Sequence, residues 1–176
     1  MSQSKKAATR YIHAGATPDP STGAIRTPIF QTSTYVQEGP NTHKGYDYSR
    51  AGNPTRTALE EALAVIENGK YGLAFSSGVA ATDAVIKLLK PGDEVIAASD
   101  MYGGTYRLFS KVFEKFGIHF HYINMQDAAA ISKYVNNNTK LIWLETPTNP
   151  LMNIVDIEAV VNLVKGKGIL VCVDNT

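Results

Sequence analysis

Glu94-Val-Ile-Ala-Ala98 and Leu141-Ile-Trp-Leu-Glu145 decide the fold. Each is an apolar run of about five residues, too short for a buried helix and of the length of a strand covered on both faces. His119 to Ile123 and Ile169-Leu-Val-Cys-Val173 have the same length and character. Between these runs the pattern turns helical, over Thr105 to Phe116, Asp127 to Val135 and Asp156 to Lys165. Strand–helix alternation predicts an α/β fold with a largely parallel sheet and crossover helices.

Upstream, Tyr71-Gly-Leu-Ala-Phe75 reads as another short strand, followed by a helix from Val79 to Leu89 that Pro91-Gly92 closes. Asn53-Pro54 is a helix start, a capping side chain before a first-turn proline. Leu59, Leu63 and Ile66 then share one face, and Gly69 is the expected stop. Five of the eight prolines fall before residue 56, no helical period shows there, and glycine and threonine are frequent. Residues 1–55 therefore read as an extended arm, which must pack on something else, such as a neighbouring subunit. Residues 56–176 read as the body of the domain.

Composition narrows the function. Lys and Arg total 17 and Asp and Glu 16 in 176 residues, a net charge of +1 that argues against nucleic acid or an anionic membrane as partner. Apolar residues at 44% and charged residues at 19% describe an ordinary globular chain. The single cysteine, Cys172, excludes an intrachain disulfide framework and a cysteine-rich zinc site, and no metal site is expected. No apolar run reaches the ~18 residues of a membrane span. The opening Met1-Ser-Gln-Ser-Lys-Lys lacks the apolar core of a secretory signal. A cytoplasmic location is the expectation.

Ligands of open α/β sheets bind beyond the carboxyl ends of the strands. Ser77-Gly78 opens a helix there, where free N–H groups can meet a phosphate; the same residues also suit a plain helix cap. No Walker loop or dinucleotide fingerprint is present. Asp174 ends an apolar strand, where a carboxylate needs a partner; the cationic ring nitrogen of pyridoxal phosphate is one candidate, and capping of the next element is the other. Tyr102, followed by two glycines, can lay its ring on a flat cofactor or sit in the core with its hydroxyl at the surface. In the arm, Tyr48 and Arg50 suit a phosphate dianion, or form a surface turn.

Five ordered segments join these pieces: Tyr48-Ser-Arg-Ala-Gly-Asn-Pro-Thr-Arg56, Phe75-Ser-Ser-Gly-Val-Ala-Ala-Thr82, Asp100-Met-Tyr-Gly-Gly-Thr-Tyr106, Trp143-Leu-Glu-Thr-Pro-Thr-Asn-Pro150 and Val173-Asp-Asn-Thr176. Together they resemble the cysteine/methionine-metabolism family of pyridoxal-phosphate enzymes, from about His13 to Thr176. The resemblance implies the fold type I, aspartate-aminotransferase-like large domain, here incomplete and with its arm. It implies that Tyr48 and Arg50 reach the cofactor phosphate of the neighbouring subunit, so that the protein is at least a dimer and a tetramer by family habit. Ser77, Gly78 and Val79 would hold the phosphate in their own subunit, Val79 replacing the family's usual methionine. Tyr102 would stack on the cofactor ring and assist proton transfer. Asn149 would lie near the ring oxygen and the substrate carboxylate, and Asp174, followed by Thr176, would keep the ring nitrogen protonated. Glu145 shares the motif without an assigned direct role.

The family's Schiff-base lysine would lie past Thr176, as would its small C-terminal domain. Lys111 and Lys133 fall on polar helix faces, and Lys140 opens a strand at the wrong end of the sheet. By itself the chain is therefore expected to be inactive, the N-terminal part of a longer enzyme. The expected activity of that enzyme is cystathionine γ-synthase, γ-replacement on an O-acylated homoserine by cysteine. The γ-lyase, the β-lyase and the O-acylhomoserine sulfhydrylase follow, and methionine γ-lyase ranks low because it commonly carries cysteine where this chain has Gly104. An inactive assembly fragment and an unrelated phosphate-binding α/β protein are the rival readings.

Overall fold

A computed structural model describes residues 7–176, which divide into two compact units, one ending at Phe75 and one beginning at Ser76. The first six residues, read above for a secretory signal, lie outside the described part.

The first unit holds two helices, α1 (Ala7–His13) and α2 (Pro54–Ile66). The arm was expected to be free of helix, and α1 corrects this. Seven residues are too few for a visible period, and α1 buries none of its side chains. Arg10 fastens it, donating from Nη2 to Val65 O at 2.8 Å and to Asn68 Oδ1 at 2.7 Å. α2 begins as predicted: the Asn53 side chain accepts the Thr55 N–H, and Pro54 fills the first turn. It stops at Ile66, and Asn68 rather than Gly69 takes the left-handed conformation, φ 53°.

Tyr71–Phe75 is not a strand. Its backbone finds a helix instead of a ladder. Ala74 N–H donates to Glu60 Oε1 at 3.0 Å. Gly72 lies so close to α2 that a β-carbon there would fall 2.1 Å from Glu60 O. Only a residue without a side chain fits that approach.

The second unit is a four-stranded parallel sheet with the order β2-β1-β3-β4, built from β1 (Glu94–Ala98), β2 (His119–Ile123), β3 (Thr139–Glu145) and β4 (Leu170–Asp174). α3 (Gly78–Ile86) precedes β1, and α4 (Gly103–Lys111), α5 (Ala128–Ile131) and α6 (Ile157–Val164) join the strands. The expected helix over 105–116 starts earlier and breaks at Val112 into a 3-10 turn, Phe113–Phe116, which Gly117 ends with φ 78°. The helix expected over 127–135 is one α-turn continued by a 3-10 turn, Ser132–Tyr134.

Strand alternation divides the core into two layers. Ile96, Ile142 and Leu144 face Ile131, Val160 and Val164 of α5 and α6. Val95, Ala97, Leu141 and Trp143 face Ile86 of α3 and Phe109 of α4. Phe109 is fully buried, stacked on Phe120 at 4.6 Å and edge-on to Trp143 at 5.6 Å. Its burial contributes about 1.5–3 kcal/mol. The Trp143 indole N–H is buried without a partner among the described residues.

From β1 the chain passes to β2 on one side and then returns to place β3 on the other. The strand order therefore reverses between β1 and β3, the point at which open α/β sheets bind ligands.

Candidate functional site

A cleft of about 720 Å³ opens at the carboxyl ends of β1, β3 and β4, above the amino end of α3. Ser77, Gly78, Val79, Tyr102, Asn149, Asp174 and Thr176 all line it. Seven of the nine residues singled out in the sequence thus converge on one cavity. The other two, Tyr48 and Arg50, belong to the first unit.

Ser77 caps α3, its hydroxyl oxygen accepting the Ala80 N–H at 3.1 Å. The capping reading of this residue is therefore correct. It leaves the N–H groups of Gly78 and Val79 without partners among the described residues, at the positive end of a helix of nine residues. A β-carbon at Gly78 would meet nothing within 4 Å, so the cavity reaches up to the backbone there.

Asp174 closes a local turn at the end of β4. Oδ1 accepts from Thr176, from the N–H at 3.1 Å and the hydroxyl at 2.7 Å, which is a local turn. Oδ2 makes no hydrogen bond among the described residues. Asp174 pairs in register with Glu145 across β3 and β4, so both carboxylates point to one face of the sheet. Neither forms an ion pair with a cation among the described residues. Burial, with Asp174 and Asp100 adding to it, raises the proton affinity of Glu145. Burial, and then Asp174, pushes the Cys172 thiol up to about 11.

Sequence reasoning gave Glu145 no direct role, yet it is 4% exposed and ties the site together. Its Oε2 accepts the Tyr102 N–H at 2.8 Å, and its Oε1 accepts the Asn149 N–H at 2.7 Å. Asp100 adds a second tie between the same two loops, accepting from Asn153 Nδ2 at 3.1 Å and from the Thr148 hydroxyl. A carboxylate at the end of a buried strand was the available signal. The Tyr102 ring is half exposed and lies at the cleft.

In the first unit the guanidinium of Arg50 lies over the Tyr48 ring, 5.1 Å from its centre, and forms no ion pair with a described carboxylate. Arg56 braces this turn from α2, donating to Ala51 O at 2.7 Å and to Arg50 O at 3.4 Å. Ser49 adds another brace: its hydroxyl donates to Thr32 O at 2.5 Å and its oxygen accepts from Asn53 Nδ2 at 3.2 Å.

The sequence pattern of the Cys/Met metabolism PLP-dependent enzymes matches residues 8–176. The chain belongs to this family. It is 50% identical over 169 residues to a probable cystathionine γ-synthase of Herpetosiphon aurantiacus, covering 96% of this chain and 53% of that protein. A cystathionine β-lyase of Coxiella burnetii is 46% identical over 169 residues, with 96% and 44% covered. The crystal structure of metB from Corynebacterium glutamicum superposes with a TM-score of 0.94 at 47% identity, over 98% of this chain and 46% of that one. The chain thus spans about half the length of the curated relatives it matches. The fold is the PLP-enzyme α/β sheet, in part, and the family cofactor is pyridoxal phosphate.

The cleft fits that cofactor. It offers two unpaired N–H groups at a helix amino end for a phosphate, and a pair of carboxylates that lack a cation beside a flat aromatic wall. Among the described residues no helix is long and apolar enough to cross a membrane.

Proposed function

We propose that the full-length protein is a PLP-dependent trans-sulfuration enzyme with cystathionine γ-synthase activity, joining cysteine to an O-acylated homoserine. The observation that carries this reading is the convergence of Asp174, Tyr102, Asn149 and the free Gly78 and Val79 N–H groups on one cleft. The segments Tyr46-Asp-Tyr48-Ser-Arg50 and Tyr102-Gly-Gly-Thr-Tyr-Arg107 resemble the γ-synthase and γ-lyase branch, and Gly104 counts against methionine γ-lyase. The name of the Herpetosiphon relative supports the synthase.

When bound, pyridoxal phosphate supplies an electron sink for carbanionic chemistry. The residues of this chain prepare for it. Gly78 and Val79 N–H groups, with the Ser77 hydroxyl, receive the phosphate dianion at the end of α3. Tyr102, at the cleft, would lie against the cofactor ring and could move a proton at its hydroxyl. Asp174 Oδ2 holds the proton on the ring nitrogen, while Thr176 keeps Oδ1 oriented. The side-chain amide of Asn149 faces the substrate carboxylate. Tyr48 and Arg50 bring a cation and a hydroxyl to the phosphate of a neighbouring subunit, which makes the protein a homo-oligomer, at least a dimer and in the family arrangement a tetramer. By the family resemblance, the lysine that carries the cofactor would lie past Thr176.

The decisive test offers the full-length protein, with pyridoxal phosphate, an O-acylated homoserine plus cysteine and, separately, cystathionine. Cystathionine formation is the expected result. Faster C–S cleavage of cystathionine replaces the synthase by a lyase, the reading that the Coxiella relative's name supports. A protein that binds no pyridoxal phosphate overturns both.

A further inference from the structure

We propose that Glu145 is the positioning residue of this cleft, its two carboxylate oxygens fixing the separation of Tyr102 and Asn149. The inference rests on the reading of the cleft as the cofactor site. The two loops involved leave different strands: Tyr102 follows β1 and Asn149 follows β3. No ladder bond extends this far, so the loops need a separate connection. Asp100 ties them through side chains, to Thr148 and Asn153, and Glu145 alone among the described carboxylates holds the backbones of Tyr102 and Asn149 themselves, from the last position of β3, at 2.8 Å to one N–H and 2.7 Å to the other.

The chemistry of the residue matters as much as its place. An ionised carboxylate presents two acceptors and no donor, which matches two converging N–H groups. Bonds of this charge-assisted kind are stronger than neutral ones. A glutamine of the same shape has one acceptor and one N–H₂, and must point a donor at a donor on one side. An aspartate keeps both acceptors but is a methylene shorter and cannot reach both loops. Glu145 is buried and sits in register beside Asp174, another acidic group. Its retention there is costly for folding alone, and the two bonds to Tyr102 and Asn149 account for it.

The test uses the full-length protein as wild type, Glu145→Gln and Asp174→Asn. Two quantities are read: pyridoxal phosphate affinity by fluorescence titration, and amide hydrogen exchange by mass spectrometry. Glu145→Gln is expected to weaken cofactor binding about tenfold. Its faster exchange should be confined to peptides containing Tyr102 and Asn149. Faster exchange throughout β1 and β3 marks a merely structural residue and overturns the proposal. Wild-type affinity in Glu145→Gln with loss in Asp174→Asn overturns the positioning role alone. Wild-type affinity in both variants overturns it together with the reading of the cleft. Should Glu145→Gln not fold, Glu145→Asp decides on the same readouts: localised faster exchange with weaker binding supports the role, and wild-type behaviour overturns it.

Discussion

The Tyr102 ring lies against the α-carbon of Gly104, where a β-carbon would fall 2.3 Å from Tyr102 Cε1 and 2.9 Å from Cζ. Any residue but glycine at 104 must swing the ring. Because Tyr102 lines the cleft, the ring moves within the site and not within the core.

Gly104→Ala therefore separates function from stability. Alanine favours helix over glycine by up to about 1 kcal/mol, and position 104 lies in the first turn of α4. The melting temperature is expected to equal or exceed that of the wild type. Cofactor affinity is expected to fall by about 1 kcal/mol, roughly fivefold. Calorimetry and a fluorescence titration on the full-length protein check both, and an unchanged affinity contradicts the placement of the ring.

Asp174→Asn removes one of two facing carboxylates but keeps an oxygen for the Thr176 bonds. Relief of like-charge repulsion offsets little else, so stability should hold or rise by up to about 1 kcal/mol. Cofactor affinity should drop by about tenfold or more, because the ring nitrogen loses its counter-charge. A variant that melts early yet binds normally would show that Asp174 serves the fold.

The Cys172 thiol, pushed up to about 11 by burial and then by Asp174, is almost wholly protonated at neutral pH. Its reaction with a chromogenic disulfide reagent at pH 8 should run about a hundredfold slower than that of a free cysteine. Denaturant should restore the normal rate. Fast labelling of the folded protein would contradict the burial of this face of β4.

Glu94 gives a pH dependence of definite sign. The Asn136 amide at 2.8 Å, and then His121 at 2.7 Å, hold its carboxyl below the usual carboxylate range. The unfolded chain thus binds the proton more readily. The stabilisation is complete above the unfolded value and is lost as pH falls through the lowered folded one. Glu94→Gln should cost about 0.5–1 kcal/mol at pH 7 and flatten the acid limb of stability against pH. Urea unfolding between pH 7 and pH 3 measures this, and parallel curves for the two proteins would refute it.

Much of the second unit was legible because its strands are apolar and short. Glu94–Ala98 and His119–Ile123 occupy the residues that their runs indicate. Tyr71–Phe75 has the same local character and is not a strand, because strand formation needs a partner and its backbone meets α2. α1 escaped notice because a tertiary bond from Arg10, not a period, holds it. At the site, the polar strand ends pointed to the cleft. What no spacing could show is that Glu145 spends both oxygens on backbone N–H groups 43 positions upstream and 4 downstream. Side-chain-to-backbone ties across loops leave no periodic trace.

The single tryptophan of these 176 residues, Trp143, is packed edge-on to Phe109 two residues before Glu145, its N–H shut away from solvent. The protein thereby carries its own optical gauge beneath the cleft. Its emission colour reports whether the packing beneath Glu145 stays dry, with no dye attached.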